Sequence, residues 1–217
     1  MRVTILLADD HALLRHGVIR LLESADDLEI VGEADNGRDA VAKARELRPD
    51  VVVIDISMPL MNGIAAMREI LKSSPDTRVL VLSMHTDERF VHQALGAGAR
   101  GYVEKGAELS ELLDAIRAVA SGSIYLSGSI TGVVVNGYLR QESPGLEQGY
   151  PNPLSDRETE IVQLLAEGKS TKEAAYLLEI SARTVDAHRQ RIMTKLGIDS
   201  VAGLVKWAIR QGLTSEE

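Results

Sequence analysis

The chain has 217 residues, is 45% hydrophobic and carries a formal net charge of −8. That length suits two small domains with a core each, and the acidic balance excludes a uniformly basic nucleic-acid binder. With no cysteine, a disulfide framework and a thiolate metal site are both excluded. No apolar run reaches the roughly 18 residues of a membrane span, and Met1-Arg2-Val3-Thr4-Ile5 leads into a strand pattern rather than a secretion signal, so a cytoplasmic protein is expected.

The first 120 residues alternate between strand and helix patterns. Val3–Ala8 is a short apolar run ending at Asp9-Asp10, and 11–24 has helical spacing through Leu14, Val18, Leu21 and Leu22. The spacing then predicts a strand over 28–34, a helix over 37–47 and a strand over 50–56. It continues with helix 63–73, strand 77–84, helix 87–98, short strand 101–104 and helix 108–120. Val51–Ile54 and Val79–Leu82 are apolar throughout, as central strands covered on both faces require. Five βα repeats predict a doubly wound α/β fold with a five-stranded parallel sheet, whose ligands sit beyond the carboxyl ends of the strands.

Residues 123–150 change character: Ser127-Gly128, Asn136-Gly137 and Pro144-Gly145 mark a linker. A short helix near 129–140 is conceivable, although Gly132 and Val133-Val134-Val135 weigh against it. From 155 the pattern is helical, within a second domain expected over 151–217. Ser155-x-x-Glu158 and Ser170-x-x-Glu173 are capping boxes, Ser181 suits the cap of a third helix, and Asp199 or Ser200 that of a fourth. Gly168, Gly197 and Gly212 fall just past helix ends. Four short helices with tight turns predict an all-α helix-turn-helix domain. Acidic residues outnumber basic ones over 1–124, whereas Arg183, Arg189, Arg191, Lys195, Lys206 and Arg210 reverse the balance over 181–211.

The strand ends collect the reactive groups. Asp9 and Asp10 end the first strand and Asp55 the third, so three carboxylates are expected to converge, which calls for a cation. Oxygen-only ligands, with a backbone carbonyl near Ser57, suit Mg²⁺. Ser83 and Lys105, after the fourth and fifth strands, would hold phosphoryl oxygens, with Asp55 as nucleophile. Singly, each has a plainer reading: Asp9 or Asp10 as a helix cap, Ser83 and Lys105 as surface residues. His11 is expected to pack or be solvated rather than bind metal.

The stretches Leu7-Ala8-Asp9-Asp10-His11, Asp55-Ile56-Ser57-Met58-Pro59-Leu60-Met61-Asn62-Gly63, Leu82-Ser83-Met84 and Tyr102-Val103-Glu104-Lys105 resemble the receiver domain of two-component response regulators, a flavodoxin-like fold, over residues 1–120, with the domain expected to span 1–122. The resemblance implies transfer of a phosphoryl group from a sensor histidine kinase to Asp55, with Mg²⁺ on Asp9, Asp10, Asp55 and the Ser57 carbonyl. It also implies that Tyr102 changes rotamer when Ser83 moves. Leu154–Val162, Glu167–Ala175 and Ser181–Arg189 resemble LuxR-type DNA-binding domains, and together the two parts resemble the NarL/FixJ class.

At 100° per residue, Val185, His188, Ile192 and Leu196 share the inward face of the third helix of this domain. Arg183, Asp186, Ala187, Gln190 and Thr194 share the outer face, which fits a major groove. Gln190 suits adenine, Asp186 cytosine and Ala187 a thymine methyl. Thr171, Lys172, Arg183 and Arg191 suit phosphates, and Thr184 completes the expected DNA-contact set. Double-stranded DNA with paired promoter half-sites, a homodimer formed on phosphorylation and RNA polymerase are the expected partners. In the resemblance, the last helix, near 199–211, serves dimerisation. Two other readings stand beside this one: a phosphatase with an acidic pocket, and a constitutive DNA binder whose receiver is only a scaffold. No enzyme is expected.

Overall fold

The computed structural model describes residues 2–141 and 153–214. The part of the expected linker at 142–150 and the start of the expected second domain at 151–152 lie outside the described residues. The chain runs β1 (Val3–Ala8), α1 (Ala12–Glu23), β2 (Leu28–Ala34), α2 (Gly37–Leu47), β3 (Val51–Ile54), α3 (Gly63–Ser73), β4 (Arg78–Ser83), α4 (Glu88–Gly96), β5 (Gly101–Glu104), α5 (Leu109–Ala120), β6 (Tyr125–Leu126) and α6 (Gly128–Gln141). It then continues through α7 (Asp156–Ala166), α8 (Thr171–Leu177), α9 (Ala182–Leu196) and α10 (Val201–Arg210).

The sheet is parallel throughout, in the order β2-β1-β3-β4-β5-β6. Val51 to Ile54 are at most 1% exposed, because helices cover both faces. Val18 and Leu22 of α1 and Leu112 to Val119 of α5 pack one face. Ala40 of α2, Met67 and Ile70 of α3 and Val91 of α4 pack the other. The strand count is one higher than the sequence predicts. Tyr125 and Leu126 pair with Gly101 and Tyr102 and add a two-residue edge strand. Such a strand is too short to show alternation and sits inside a Gly/Ser-rich stretch. α6 also forms, despite Gly132 and the valines, since fully buried Ile130 locks it to the sheet cluster that holds Tyr102 and Phe90. Tertiary burial outweighs the unfavourable propensity there.

The four helices of the C-terminal region carry the expected caps. Ser155 and Ser170 form complete capping boxes, and Ser181 and Ser200 cap α9 and α10. Gly168, Gly197 and Gly212 have positive φ just past the ends of α7, α9 and α10. α8 stops differently: Glu179 takes φ 55, making a tight turn without glycine. The core is Ile161, Val162, Leu164, Ala174, Val185, Ile192, Leu204 and Ala208. Among the described residues, no helix is long and apolar enough to cross a membrane.

Gly63 starts α3 directly against the end of β3. A Cβ there would lie 1.9 Å from the Asp55 carbonyl oxygen and 3.0 Å from Ile56 Cα. Backbone cannot yield as a flexible side chain can, so Gly63→Ala is expected to lower stability by about 1–3 kcal/mol. Urea unfolding followed by far-UV circular dichroism would check this, the wild-type midpoint being the outcome against it.

Candidate phosphoryl pocket and helix-turn-helix face

The doubly wound order puts β1 beside β3, and the chain reverses direction of travel between them, which opens a crevice at their carboxyl ends. Asp9 and Asp10 leave β1 into that crevice, and Asp55 leaves β3. The ladder extends into the site: Asp55 N donates to the Ala8 carbonyl at 2.9 Å and Lys105 N to the Ser83 carbonyl at 3.0 Å. Asp9, Asp55 and Ser83 are 1%, 3% and 0% exposed. Lys105 Nζ sits 2.8 Å from Asp9 Oδ2 and 2.7 Å from Asp55 Oδ2.

Ligand atoms of Asp9, Asp10, His11 and Asp55 all lie within 4.8 Å of one another. Burial pushes the Asp55 carboxyl above its ordinary value, while Lys105 pulls it back. Burial works against the Lys105 charge, but Asp55 and Asp9 outweigh it and the ammonium is held above its ordinary value. The Asp10 Oδ1 atom is buried and makes no hydrogen bond; the His11 ring nitrogen, 2.8 Å away, lies outside hydrogen-bonding geometry. His11 itself occupies the N-cap of α1 with an exposed side chain. Three carboxylates gathered this closely, one with a buried oxygen outside any hydrogen bond, suit a hard cation.

Ser83 Oγ accepts from His85 N at 3.3 Å, and the Tyr102 hydroxyl donates to the His85 carbonyl at 2.5 Å. Tyr102 is fully buried, which pushes its phenol well above its ordinary value. Ser57 Oγ lies 2.8 Å from His85 Nε2, so the loops after β3 and β4 touch each other.

In the helical region, Val185 and Ile192 are buried as the periodicity predicts, with Leu196 packed against them. His188 also turns inward, and its Nδ1 is buried without a hydrogen bond among the described residues. Lys172, Arg183, Gln190 and Arg191 are exposed, while Thr171, Thr184, Asp186 and Ala187 are half-buried. Asp186 is not left as a bare charge: Arg189 lies 3.1 Å from it and the Thr171 hydroxyl donates to it at 3.4 Å. Sequence reasoning missed Arg189 as a partner because the helical wheel ranks faces, not ion pairs three residues apart.

It also missed the contacts between the two parts. Gln163 of α7 and Glu167 at its C-cap bond the loop after Asp55, and Gly212 lies against Phe90. Nothing local in the sequence marks such residues, which are ordinary positions on an amphipathic helix and a helix end.

Residues 5–117 match the response regulator receiver domain family, and residues 152–208 match the luxR family of bacterial regulatory proteins. The oxygen regulatory protein NreC of Staphylococcus epidermidis is 38% identical over 213 residues, covering 96% of this chain and 98% of its own. The response regulator GacA of Pseudomonas viridiflava is 37% identical, with 97% of each chain covered. Among solved structures, the Salmonella typhimurium response regulator RcsB aligns with a TM-score of 0.58 at 25% identity, over 95% of this chain and 97% of that one.

The α7 cap is tied to α9. Glu158 accepts from Ser155 N at 2.9 Å, and Lys195 reaches both its oxygens at 2.8 and 2.7 Å. The Lys195 hydrogen bonds, then the Ser155 backbone, hold Glu158 below its ordinary value. A depressed carboxylate stabilises above its unfolded pKa, about 4.3, and the benefit disappears as pH falls through the folded value. Melting followed by the fluorescence of Trp207, the sole tryptophan, should therefore place wild type above Lys195→Met near neutral pH. The gap should start to narrow as the pH drops to about 4.3 and close only below the depressed folded value. A gap that persists in acid would assign the difference to packing of the lysine stem.

Proposed function

We propose, for a chain that belongs to the NarL/FixJ class of two-component response regulators, that Asp55 is the phosphoacceptor and that its phosphorylation controls DNA binding by α8 and α9. The observation that carries this reading is Lys105, whose ammonium bridges Asp9 and Asp55 at the ends of β1, β3 and β5. Residues 1–122 act as the receiver and residues 151–217 as the DNA-binding domain. The stretch between them holds β6 and α6, which ends at Gln141.

The donor set suits Mg²⁺: carboxylates of Asp9, Asp10 and Asp55 with the Ser57 carbonyl. When bound, Mg²⁺ supplies positive charge that neutralises phosphoryl oxygens. The chain does the rest. An Asp55 oxygen attacks the phosphorus of a phosphohistidine on the sensor kinase; the P–O bond forms, the P–N bond breaks, and the imidazole leaves with the electron pair. Lys105, released from Asp55 as that carboxylate becomes an acyl phosphate, turns to a phosphoryl oxygen. Ser83 leaves its bond to His85 N and donates to another. Tyr102, two bonds away through the His85 carbonyl, follows as the switch. The carboxylate is regenerated when water hydrolyses the acyl phosphate, so the protein acts as a switch rather than a metabolic enzyme.

On DNA, Arg183, Arg191, Lys172 and Thr171 contact phosphates, and Gln190, Ala187, Thr184 and Asp186 face base edges. Arg189 and Thr171 reduce the repulsion between Asp186 and the backbone phosphates. One such module makes few contacts, so paired half-sites and a dimer are the working form. RcsB, a relative by structure, is described in terms of DNA interaction, which supports the same use of this fold. A soluble regulator of this kind acts in the cytoplasm, with RNA polymerase as a further partner.

Beryllofluoride with Mg²⁺ is expected to produce dimers in sedimentation and to tighten promoter binding, with both effects absent in Asp55→Asn. Unchanged affinity would favour a constitutive binder with a scaffold receiver, and sustained turnover of small phosphoesters a phosphatase. On DNA, Arg183→Ala should weaken all sequences alike and reduce the salt slope by about 1, whereas Gln190→Ala should cost about 1–3 kcal/mol of discrimination at one base pair. Binding arrays read at two salt concentrations separate these outcomes; a sequence-selective loss in Arg183→Ala would contradict the assignment.

A further inference from the structure

Arg15 stands behind the acidic pocket and has no part in the chemistry assigned so far. It lies one turn into α1, and its side chain is only 13% exposed. A guanidinium cannot shed its charge when covered, so it needs partners there. Its partners stand at the carboxyl edge of the sheet: Nη1 donates to the Asp9 carbonyl at 2.5 Å, and Nε to Glu33 Oε2 at 3.0 Å.

Both strands stop at this edge, β1 at Ala8 and β2 at Ala34. Asp9 N still donates to the Ala34 carbonyl at 3.0 Å, but the ladder goes no further. The Asp9 carbonyl takes Arg15 in place of a strand neighbour. One planar fork on α1 thus ties the end of β1 to β2. The far anchor is itself fixed, because Lys43 of α2 donates to the Glu33 carbonyl at 2.6 Å and to Asp39 at 2.7 Å.

The carbonyl that Arg15 holds belongs to the peptide joining Asp9 to Asp10. That peptide sets the direction of both side chains, as consecutive residues cannot turn independently of the plane between them. On the inner side of the turn, Asp9 Oδ1 accepts from His11 N at 2.8 Å, while Asp10 Oδ1 is buried with no hydrogen bond. The pocket therefore contains a carboxylate oxygen that nothing on its own side orients, and the outer tether is Arg15.

We propose that Arg15 is a positioning residue for the cation site, aiming the Asp9 and Asp10 carboxylates at the space beside Asp55 through the peptide between them. It acts on the Asp9 carbonyl and is not a ligand. The proposal rests on the reading of Asp9, Asp10 and Asp55 as cation ligands.

Charge and geometry here have opposite signs. By charge alone, Arg15 repels a bound cation and Glu33 attracts it. By geometry, Arg15 strengthens binding, as groups that orient a metal ligand commonly account for roughly ten- to hundredfold in affinity.

The test titrates the full chain with Mn²⁺, an ion suited like Mg²⁺ to oxygen ligands, and counts free Mn²⁺ by its electron paramagnetic resonance signal. Arg15→Ala is expected to weaken binding about tenfold. Glu33→Gln keeps an oxygen acceptor for Arg15 Nε and should stay within about twofold of wild type. Arg15→Lys keeps the charge and the stem but loses the fork, and should weaken binding about threefold. It takes the place of Arg15→Ala if that variant shows no cooperative urea transition. Wild-type Mn²⁺ affinity in the folded Arg15 variant, even with a lower urea midpoint, would make Arg15 a purely structural tie and overturn the proposal. Tighter binding in Arg15→Ala with weaker binding in Glu33→Gln would overturn it too, as the mark of charge alone. If wild type takes up no Mn²⁺, or Asp10→Asn takes up as much as wild type, the carboxylates are not the cation site, and the underlying reading fails together with the proposal.

Discussion

A buried ammonium between two buried carboxylates is the constraint on which the rest of the receiver turns. Lys105 is held by Asp9 and Asp55, and burying two carboxylates side by side with no cation between them would be strongly destabilising. The arrangement demands that β1, β3 and β5 end at the same level, which in turn demands the parallel register that places Ala8 beside Ile54 and Ser83 beside Glu104. The apolar runs of the central strands are the means: a slip of one residue would carry Asp9 or Asp55 into the sheet and an apolar side chain out of it.

Much of this was legible from the chain. The continuous runs at Val51–Ile54 and Val79–Leu82 suit central strands, and in a parallel sheet the polar residues that end them neighbour each other. The serine caps of the four C-terminal helices were equally plain, since a hydroxyl at the N-cap with a glutamate three residues on has a local cause and a local effect. β6 escaped notice because two residues carry no period. α6 stays open at the level of sequence because Gly132 and the valines disfavour a helix; Ile130, buried against the sheet, overrides them. Where a contact is local or periodic the sequence reports it; where it depends on a docked surface, as with Ile130 or Gln163, it does not.

The pocket shows the same division. Asp9, Asp10, Asp55, Ser83 and Lys105 could be assembled from strand ends alone. The sequence did not reveal that the cleft above them, about 430 Å³, is walled on one side by Asp10 and Ser57–Pro59 and on the other by Ala166, Glu167, Lys169 and Leu213. Half of that wall belongs to the helical region, so access to the carboxylates depends on residues far away in sequence.

That division explains why a switch can work between two stable domains. Breaking a packed core costs several kcal/mol, whereas moving a surface loop exchanges one set of hydrogen bonds for another at about 1 kcal/mol each. The grip of α7 and the α10 turn falls on loops, not on the sheet. On the proposed reading, an acyl phosphate at Asp55 would need only to displace a few such bonds, Ser83 to His85 N among them. The sheet below stays as it is, rigid enough to keep Lys105 in reach of whichever oxygen, carboxylate or phosphoryl, now carries the charge.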